Sequence, residues 1–525
     1  MALQVQSSET SYRAAVSLAD LPADAYFVYY NTFSMCFGNA VPSTAVFAQA
    51  EGGFCSDDVV VVGSVAASKY ILVGALTAWR SLTHFRVVRR GGRFQAVEVV
   101  QPYIKPGEPP EELLVLAGED WRELLQEYAL RVAVANGREV LRPARNLTGY
   151  CTWYYYYAGV TEKDFLSNVK ALGRNRKYRS EVIQIDDGYQ TFQGDWQDQD
   201  PSWPTPLPDI AGKIRASGSR AGIWLMPFQA STASRIYREH PEYFVTDAQG
   251  EAVTRRGWSP EPDHLWLCLD LTKPAVQEYI AGIFRKFRDW GYTYFKMDGM
   301  NFGLMEGVRH DPQATPVSAF RLGLQAIRAA VPDCTLLGCT APFLPCVGLV
   351  DMCRISSDTR ACDSQIEHVY REISGRWWMF DRLFRADPDV LIARQDRGTQ
   401  SLGASRISVL TGIITGVSLT SDNLAKIAPE RLELLKCAAE YRLRDAVPLV
   451  WQQGSWIRGF AGTLAGRPAV ALVNDTDAPL QYRLSDLGLA GPVEDLLQPG
   501  AGEVRRKYVL PPHDAALLVH CARRK

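Results

Sequence analysis

Tyr292-Thr293-Tyr294-Phe295-Lys296-Met297-Asp298-Gly299 is an aromatic, strand-favouring run that ends in an ammonium, a carboxylate and a glycine. Alternation along a strand puts Lys296 and Asp298 on the same side. An ammonium that close holds a carboxylate ionised, and an ionised carboxylate at a strand mouth serves as a nucleophile or an electrostatic stabiliser. A strand-end salt bridge is the competing structural account. The rest of the chain decides between them.

On both sides of this stretch short apolar runs alternate with helical segments over roughly 300 residues, the size and rhythm of an eight-stranded β/α barrel. The strands are predicted to end near Trp153, Asp187, Met226, Asp298, Cys339, Asp358, Ala393 and Ser421. Helices are predicted over Glu162–Leu172, Pro274–Trp290 and Pro316–Val331, with a closing helix over Glu430–Arg442. Before the barrel, alternating runs such as Ala25–Tyr30, Val59–Val65, Tyr70–Leu76 and Phe94–Val100 predict an antiparallel sandwich, followed by a helix over Glu119–Ala135. After it, Ala469–Asn474, Leu480–Leu484 and Ala515–His520 return to β alternation. The expected fold is therefore α/β: a central (β/α)8 TIM barrel over residues 144–443, an N-terminal β-sandwich domain over 1–143, and a small C-terminal antiparallel β domain over 444–525.

A chain of 525 residues with 47% hydrophobic and 22% charged residues has the composition of a folded multidomain protein. A net charge of -1 gives no electrostatic case for nucleic acid or an anionic membrane surface. The first eighteen residues lack the basic and apolar runs of an export signal, and no stretch reaches transmembrane length, so a cytoplasmic location is expected. Eleven scattered cysteines fit reduced thiols better than a disulfide framework. The spacing of Cys339, Cys346, Cys353 and Cys362 matches no zinc pattern, so neither a metal nor a cofactor is expected.

Further carboxylates fall at predicted strand ends, where a barrel builds its active site. Gln184-Ile185-Asp186-Asp187-Gly188 ends the second strand in two adjacent acids, which repel each other unless hydroxyls or cations bind them. Capping of the following turn explains one of the two. Trp224, near the third strand end, is expected either as an apolar wall for a sugar ring or as plain core. On the sixth strand Arg354 and Asp358 are an even number of residues apart, so both can face the barrel axis if that strand is regular. Two acids across a barrel mouth are what glycosidic cleavage uses, with an Arg354–Asp358 ion pair as the structural alternative.

These segments resemble the α-galactosidases of glycoside hydrolase family 36, particularly its compact members, and more distantly family 27 of the same clan. The likeness runs through Gly149-Tyr150-Cys151-Thr152-Trp153-Tyr154, the Asp186-Asp187 segment, Gly194-Asp195-Trp196, Gly222-Ile223-Trp224, Leu269-Asp270-Leu271 and the Lys296–Asp298 segment. It continues through Leu337-Gly338-Cys339, Arg354–Thr359, Asp387-Pro388-Asp389 and Ser421-Asp422.

The resemblance implies that Asp298 is the nucleophile and Asp358 the general acid/base of a retaining glycosidase. It places Asp186 and Asp187 on the sugar's O4 and O6 hydroxyls, Lys296 on ring hydroxyls and Arg354 near O2, with Trp153, Trp224 and Cys339 lining the pocket. One departure stands out: an Asn-Trp-x-Ser-Trp segment common in the family corresponds here to Asn31-Thr32-Phe33-Ser34-Met35, without either tryptophan. The expected activity is hydrolysis of terminal α-linked galactose, and the expected partner a small α-galactoside; association into a homo-oligomer is compatible with the sequence. α-N-Acetylgalactosaminide hydrolysis, raffinose-synthase-like galactosyl transfer and a catalytically silent carbohydrate-binding protein remain as alternatives.

Overall fold

The structure is a computed structural model that describes residues 3–8, 11–31, 45–49, 54–139, 145–174, 178–257, 265–398, 400–451 and 456–521. At its centre eight parallel strands form one sheet: β1 (Leu147–Cys151), β2 (Val182–Ile185), β3 (Arg220–Leu225), β4 (Tyr292–Met297), β5 (Thr335–Gly338), β6 (Met352–Arg354), β7 (Arg385–Asp387) and β8 (Val417–Thr420). Neighbours in sequence pair in order, and β1 also pairs with β8. The ring closes through one parallel bridge, Leu391 to Thr420, rather than a β7–β8 ladder. This is the expected barrel, nearly closed.

The barrel strands are short apolar runs buried on both faces, with inward side chains packed as an interior and outward ones covered by helices. The helix Pro274–Trp290 starts with proline at its first position and stops at Gly291, which takes the left-handed conformation. Pro316–Ala330 begins with a capping box in which Thr315 and Ser318 satisfy each other's backbone N–H.

Three strand-end expectations are corrected. The first strand ends at Cys151, and Trp153 instead opens a one-turn helix, Trp153–Tyr156. The seventh is Arg385–Asp387, upstream of the apolar residues near Ala393, which supply only the closing bridge. The sixth stops at Arg354, so strand alternation does not govern Asp358, which lies on the loop beyond. The long connection after β3 also folds on itself as a three-stranded antiparallel sheet of Gln229–Ser231, Leu265–Cys268 and Thr254–Arg256. Its strands of three and four residues are too short to stand out as alternation.

Ahead of the barrel two five-stranded antiparallel sheets share one core, where Val16, Phe85 and Val97 meet Val60, Leu72 and Val73. The helix Trp121–Ala135 leads out of them. Beyond the barrel a five-stranded sheet and a two-stranded one pack around Val470, Leu472, Tyr508 and Leu518. The N-terminal sheets are tied to the barrel near β6. Trp378 Nε1 donates to Tyr29 Oη at 2.6 Å, and the fully buried Arg376 donates both to Asn31 Oδ1 at 3.1 Å and to the Ile355 carbonyl. Thr32 to Met35, where the sequence departs from the segment expected by resemblance, lie outside the described residues. Among the described residues no helix is long and apolar enough to cross a membrane.

Candidate active site

The strand ends of β2 to β7 bring the expected polar residues to one mouth. Asp298 follows β4 directly and its side chain is 14% exposed. Its Oδ1 accepts bonds from Thr340 Oγ1 at 2.7 Å and from the Gly299 N–H at 2.7 Å; its Oδ2 accepts from Trp224 Nε1 at 3.1 Å. Burial would raise its pKa, but Lys296 and these three bonds outweigh that and hold it below the usual carboxylate value. Asp298 is therefore kept ionised.

Gly299 is needed for this geometry. Its φ of 57° is left-handed, and a Cβ there would meet Met226 Cε at 2.2 Å. Gly188 plays the same part after Asp187, with φ 108° and a Cβ position 2.6 Å from the Ala158 carbonyl oxygen. Each glycine turns the chain away from an acidic strand end past a close neighbour, side chains at Gly299 and backbone at Gly188.

Lys296 lies in the mouth, but its closer partner is Asp186 at 2.9 Å, with Asp298 at 4.0 Å. Burial would lower the ammonium's pKa; Asp186, Asp298 and the nearby Cys339 and Cys151 outweigh it and raise it well above the usual lysine value. Asp186 Oδ2 also accepts from Gln184 Nε2 at 2.6 Å and from the Cys151 thiol at 3.3 Å, while its Oδ1 accepts the Asp187 N–H at 3.0 Å. Asp187 Oδ1 accepts from Gln190 Nε2 at 2.5 Å. The adjacent acids are thus held by one ammonium, two side-chain amides, a thiol and a backbone N–H.

Trp224 is 1% exposed and meets Trp196 edge-on at 5.8 Å, so of the two expected placements it takes the buried one, with its indole N–H donating to Asp298. Trp153 is half-buried and packs edge-on against Tyr157 at 5.4 Å.

On the far side, Arg354 Nη2 donates to Asp358 Oδ1 at 2.6 Å, so the ion pair weighed from sequence is present. The two side chains differ sharply in exposure, 3% for Arg354 and 59% for Asp358. Cys339 joins the two halves: its sulfur is 3.9 Å from Thr340 Oγ1 and 3.8 Å from Arg354 Nη1. Burial and the charge on Asp298 push its thiol well up, so it stays neutral. Among the described residues no group of histidine, cysteine and carboxylate side chains could hold a metal ion.

Four contributors escaped the sequence reading: Thr340, Gln184, Gln190 and Asp389. Thr340 follows Cys339 at a strand end and has a left-handed φ of 53°, a strained value for a β-branched residue. Asp389 stands within a motif that the family likeness includes, without a role. It is 3% exposed, lies 3.0 Å from Arg354 Nη1, and burial pushes its carboxyl up to about 7 against the opposing pull of Arg354.

A model of the melibiase family matches residues 173–333, which span β2 to the approach to β5 and include Asp186, Asp187, Lys296 and Asp298. Over residues 173–333 this chain is similar to the melibiase domain. Its fold around that domain is shared with an α-galactosidase of Thermus thermophilus, at a TM-score of 0.67 and 20% identity over 89% of this chain and 95% of that one. It is shared also with a family 36 α-galactosidase of Geobacillus stearothermophilus, at 0.66 and 14% identity over 97% and 77%. In sequence the chain is similar to an A type blood α-D-galactosamine galactosaminidase of Flavonifractor plautii, 30% identical over 121 residues, 22% of this chain and 11% of the relative. An α-galactosidase of Lactobacillus acidophilus is 23% identical over 251 residues, 44% of this chain and 32% of that one. The matched parts cover between 11% and 32% of these curated relatives' lengths.

Proposed function

We propose that this chain is a retaining α-galactosidase that releases terminal α-linked galactose from small glycosides. The observation that carries the reading is Asp298, held ionised by Lys296, Thr340, Trp224 and the Gly299 N–H at the mouth of a barrel similar to the melibiase domain over residues 173–333. An ionised, pre-positioned carboxylate is what attack on an anomeric carbon needs. Asp298 forms a bond to C1 as the C1–O bond to the leaving group breaks, and Asp358 gives that oxygen its proton. In the second half Asp358 takes a proton from water, which attacks C1 and releases Asp298. Arg354 holds Asp358 through Oδ1, which leaves Oδ2 to carry the proton, and Arg354 also serves the sugar's O2 side. Asp186 and Asp187 accept sugar hydroxyls, a choice that disfavours glucose because the wrong epimer leaves a buried acceptor without its donor. No cofactor takes part in these steps.

Hydrolysis of α-galactosaminides is the second reading, favoured by the 30% identity to the galactosaminidase. The ten free cysteines among the described residues fit the cytoplasm, a reducing compartment.

The test uses two variants and azide. Asp298→Gly abolishes the covalent step and leaves room on the β face of C1, so azide plus an activated α-galactoside gives β-galactosyl azide. Asp358→Ala accumulates glycosyl-enzyme from substrates whose leaving group needs no proton, and azide then gives α-galactosyl azide. The same anomer from both, or full activity in either variant, refutes the assignment.

A further inference from the structure

Asp358 poses a physical problem as a proton donor. Its side chain is 59% exposed, and it sits on a loop beyond the last residue of β6, outside any strand or helix of its own. A carboxyl in that position keeps its rotamer freedom unless something fixes its flanks, and proton transfer depends steeply on placement.

Glu372 accepts the Ser357 N–H at 2.6 Å and Gln365 donates to the Asp358 carbonyl at 2.6 Å, which anchors the backbone, and Asp389 adds a hold on each side of the side chain. Arg354, which donates to Asp358 through Nη2, presents Nη1 to Asp389 Oδ1 at 3.0 Å. Thr359, the residue after Asp358, donates its N–H to Asp389 Oδ2 at 2.9 Å. One buried carboxylate therefore uses one oxygen on each side of Asp358. Asp389 comes from the turn after β7 and has a φ of 76°, left-handed and uncommon for a residue other than glycine. Its own N–H donates to Asp387 Oδ1 at 3.2 Å, which anchors the turn. Backbone strain of this kind persists where the surroundings over-determine it and gathers at functional sites.

We propose that Asp389 is a positioning residue for proton transfer: through Arg354 and the Thr359 N–H it fixes the loop that carries Asp358 and aims its carboxyl at the leaving oxygen. The inference rests on the reading of Asp358 as acid/base. Asp389 itself touches no substrate in this role; it acts through its two neighbours. The contribution is specific to the protonated leaving group, because the nucleophile is held separately by Thr340, Trp224, Gly299 and Lys296.

The test is the leaving-group dependence of kcat/KM, which reports formation of the glycosyl-enzyme, in the full-length chain. Asp389→Asn keeps the size of the side chain and removes its charge. Loss should be about ten- to a hundredfold on methyl α-galactoside, whose leaving group needs a proton, and several-fold smaller on 2,4-dinitrophenyl α-galactoside. In an Asp358→Ala background the same substitution should add no further loss on the dinitrophenyl substrate. Equal loss on every leaving group, or a full additional loss in the Asp358→Ala background, overturns the proposal and leaves Asp389 a merely structural residue. If circular dichroism shows that Asp389→Asn does not fold, Asp389→Glu carries the same comparison, since it keeps the charge opposite Arg354 and displaces it by one methylene. Failure of the wild type on all α-galactosides would instead refute the proposed function.

Discussion

Lys296→Met removes a charge at the barrel mouth and little volume. The ammonium stands 2.9 Å from Asp186 and 4.0 Å from Asp298, and the three side chains are 7%, 2% and 14% exposed. Unit charges about 4 Å apart attract by about 4 kcal/mol at an effective dielectric constant of about 20. Deleting one partner of a buried pair costs about 3–5 kcal/mol, because the other charge is left uncompensated. Gln184, Cys151 and the Asp187 N–H still hold Asp186, while Thr340, Trp224 and Gly299 still hold Asp298, so the lower end, about 3 kcal/mol, is expected. The assay is urea unfolding at pH 7, read as a lower midpoint at constant slope. A second readout is the acid limb of kcat/KM on an aryl α-galactoside. Lys296 is the largest of the effects that lower the Asp298 pKa, so that limb should move to higher pH in the variant. A stability loss below about 1 kcal/mol, the scale of an exposed ion pair, together with an unmoved acid limb would refute the argument that this ammonium governs the site.

Asp187→Asn should weaken galactoside binding by about 1.5–3 kcal/mol, the value of a bond to a charged group, and narrow the preference over α-glucosides; paired kcat/KM values on the two aryl glycosides measure it. Stability should follow pH through Asp298 with a definite sign. Its folded-state pKa is depressed, so its contribution is fully present above the unfolded carboxylate value of about 3.9 and is lost as pH falls through the folded value. Thermal unfolding of wild type and Asp298→Asn as pH is lowered from 7 should therefore show the difference between the two proteins diminishing below about pH 4. A difference that stayed constant would mean that Asp298 is not held ionised by the fold.

The sequence by itself determined the architecture and which acids stand at the ends of strands β2 and β4. Eight short apolar runs separated by amphipathic helices have few other ways to bury their faces, so the barrel is legible from local pattern. The helix Pro274–Trp290 matches its expected bounds because proline and glycine mark its two ends. Asp186, Asp187, Lys296 and Asp298 stand out because charge at the end of a buried run is costly without a use.

What only the tertiary structure decided is which charge meets which. Strand alternation placed Lys296 beside Asp298, yet the ammonium lies closer to Asp186, from a strand 110 residues earlier. Alternation also cannot describe Asp358, because β6 ends at Arg354 and the chain between them is irregular. Thr340, Gln190 and Asp389 carry no signal of their own: a threonine, a glutamine and an aspartate in loops are ordinary until folding brings a carboxylate, a guanidinium or a backbone N–H within 3 Å or so. Hydrophobic periodicity is a local property that one segment can display, whereas hydrogen-bond partnership across a barrel mouth depends on strands far apart in sequence. The first was written in the order of residues, and the second existed only once the ring had closed.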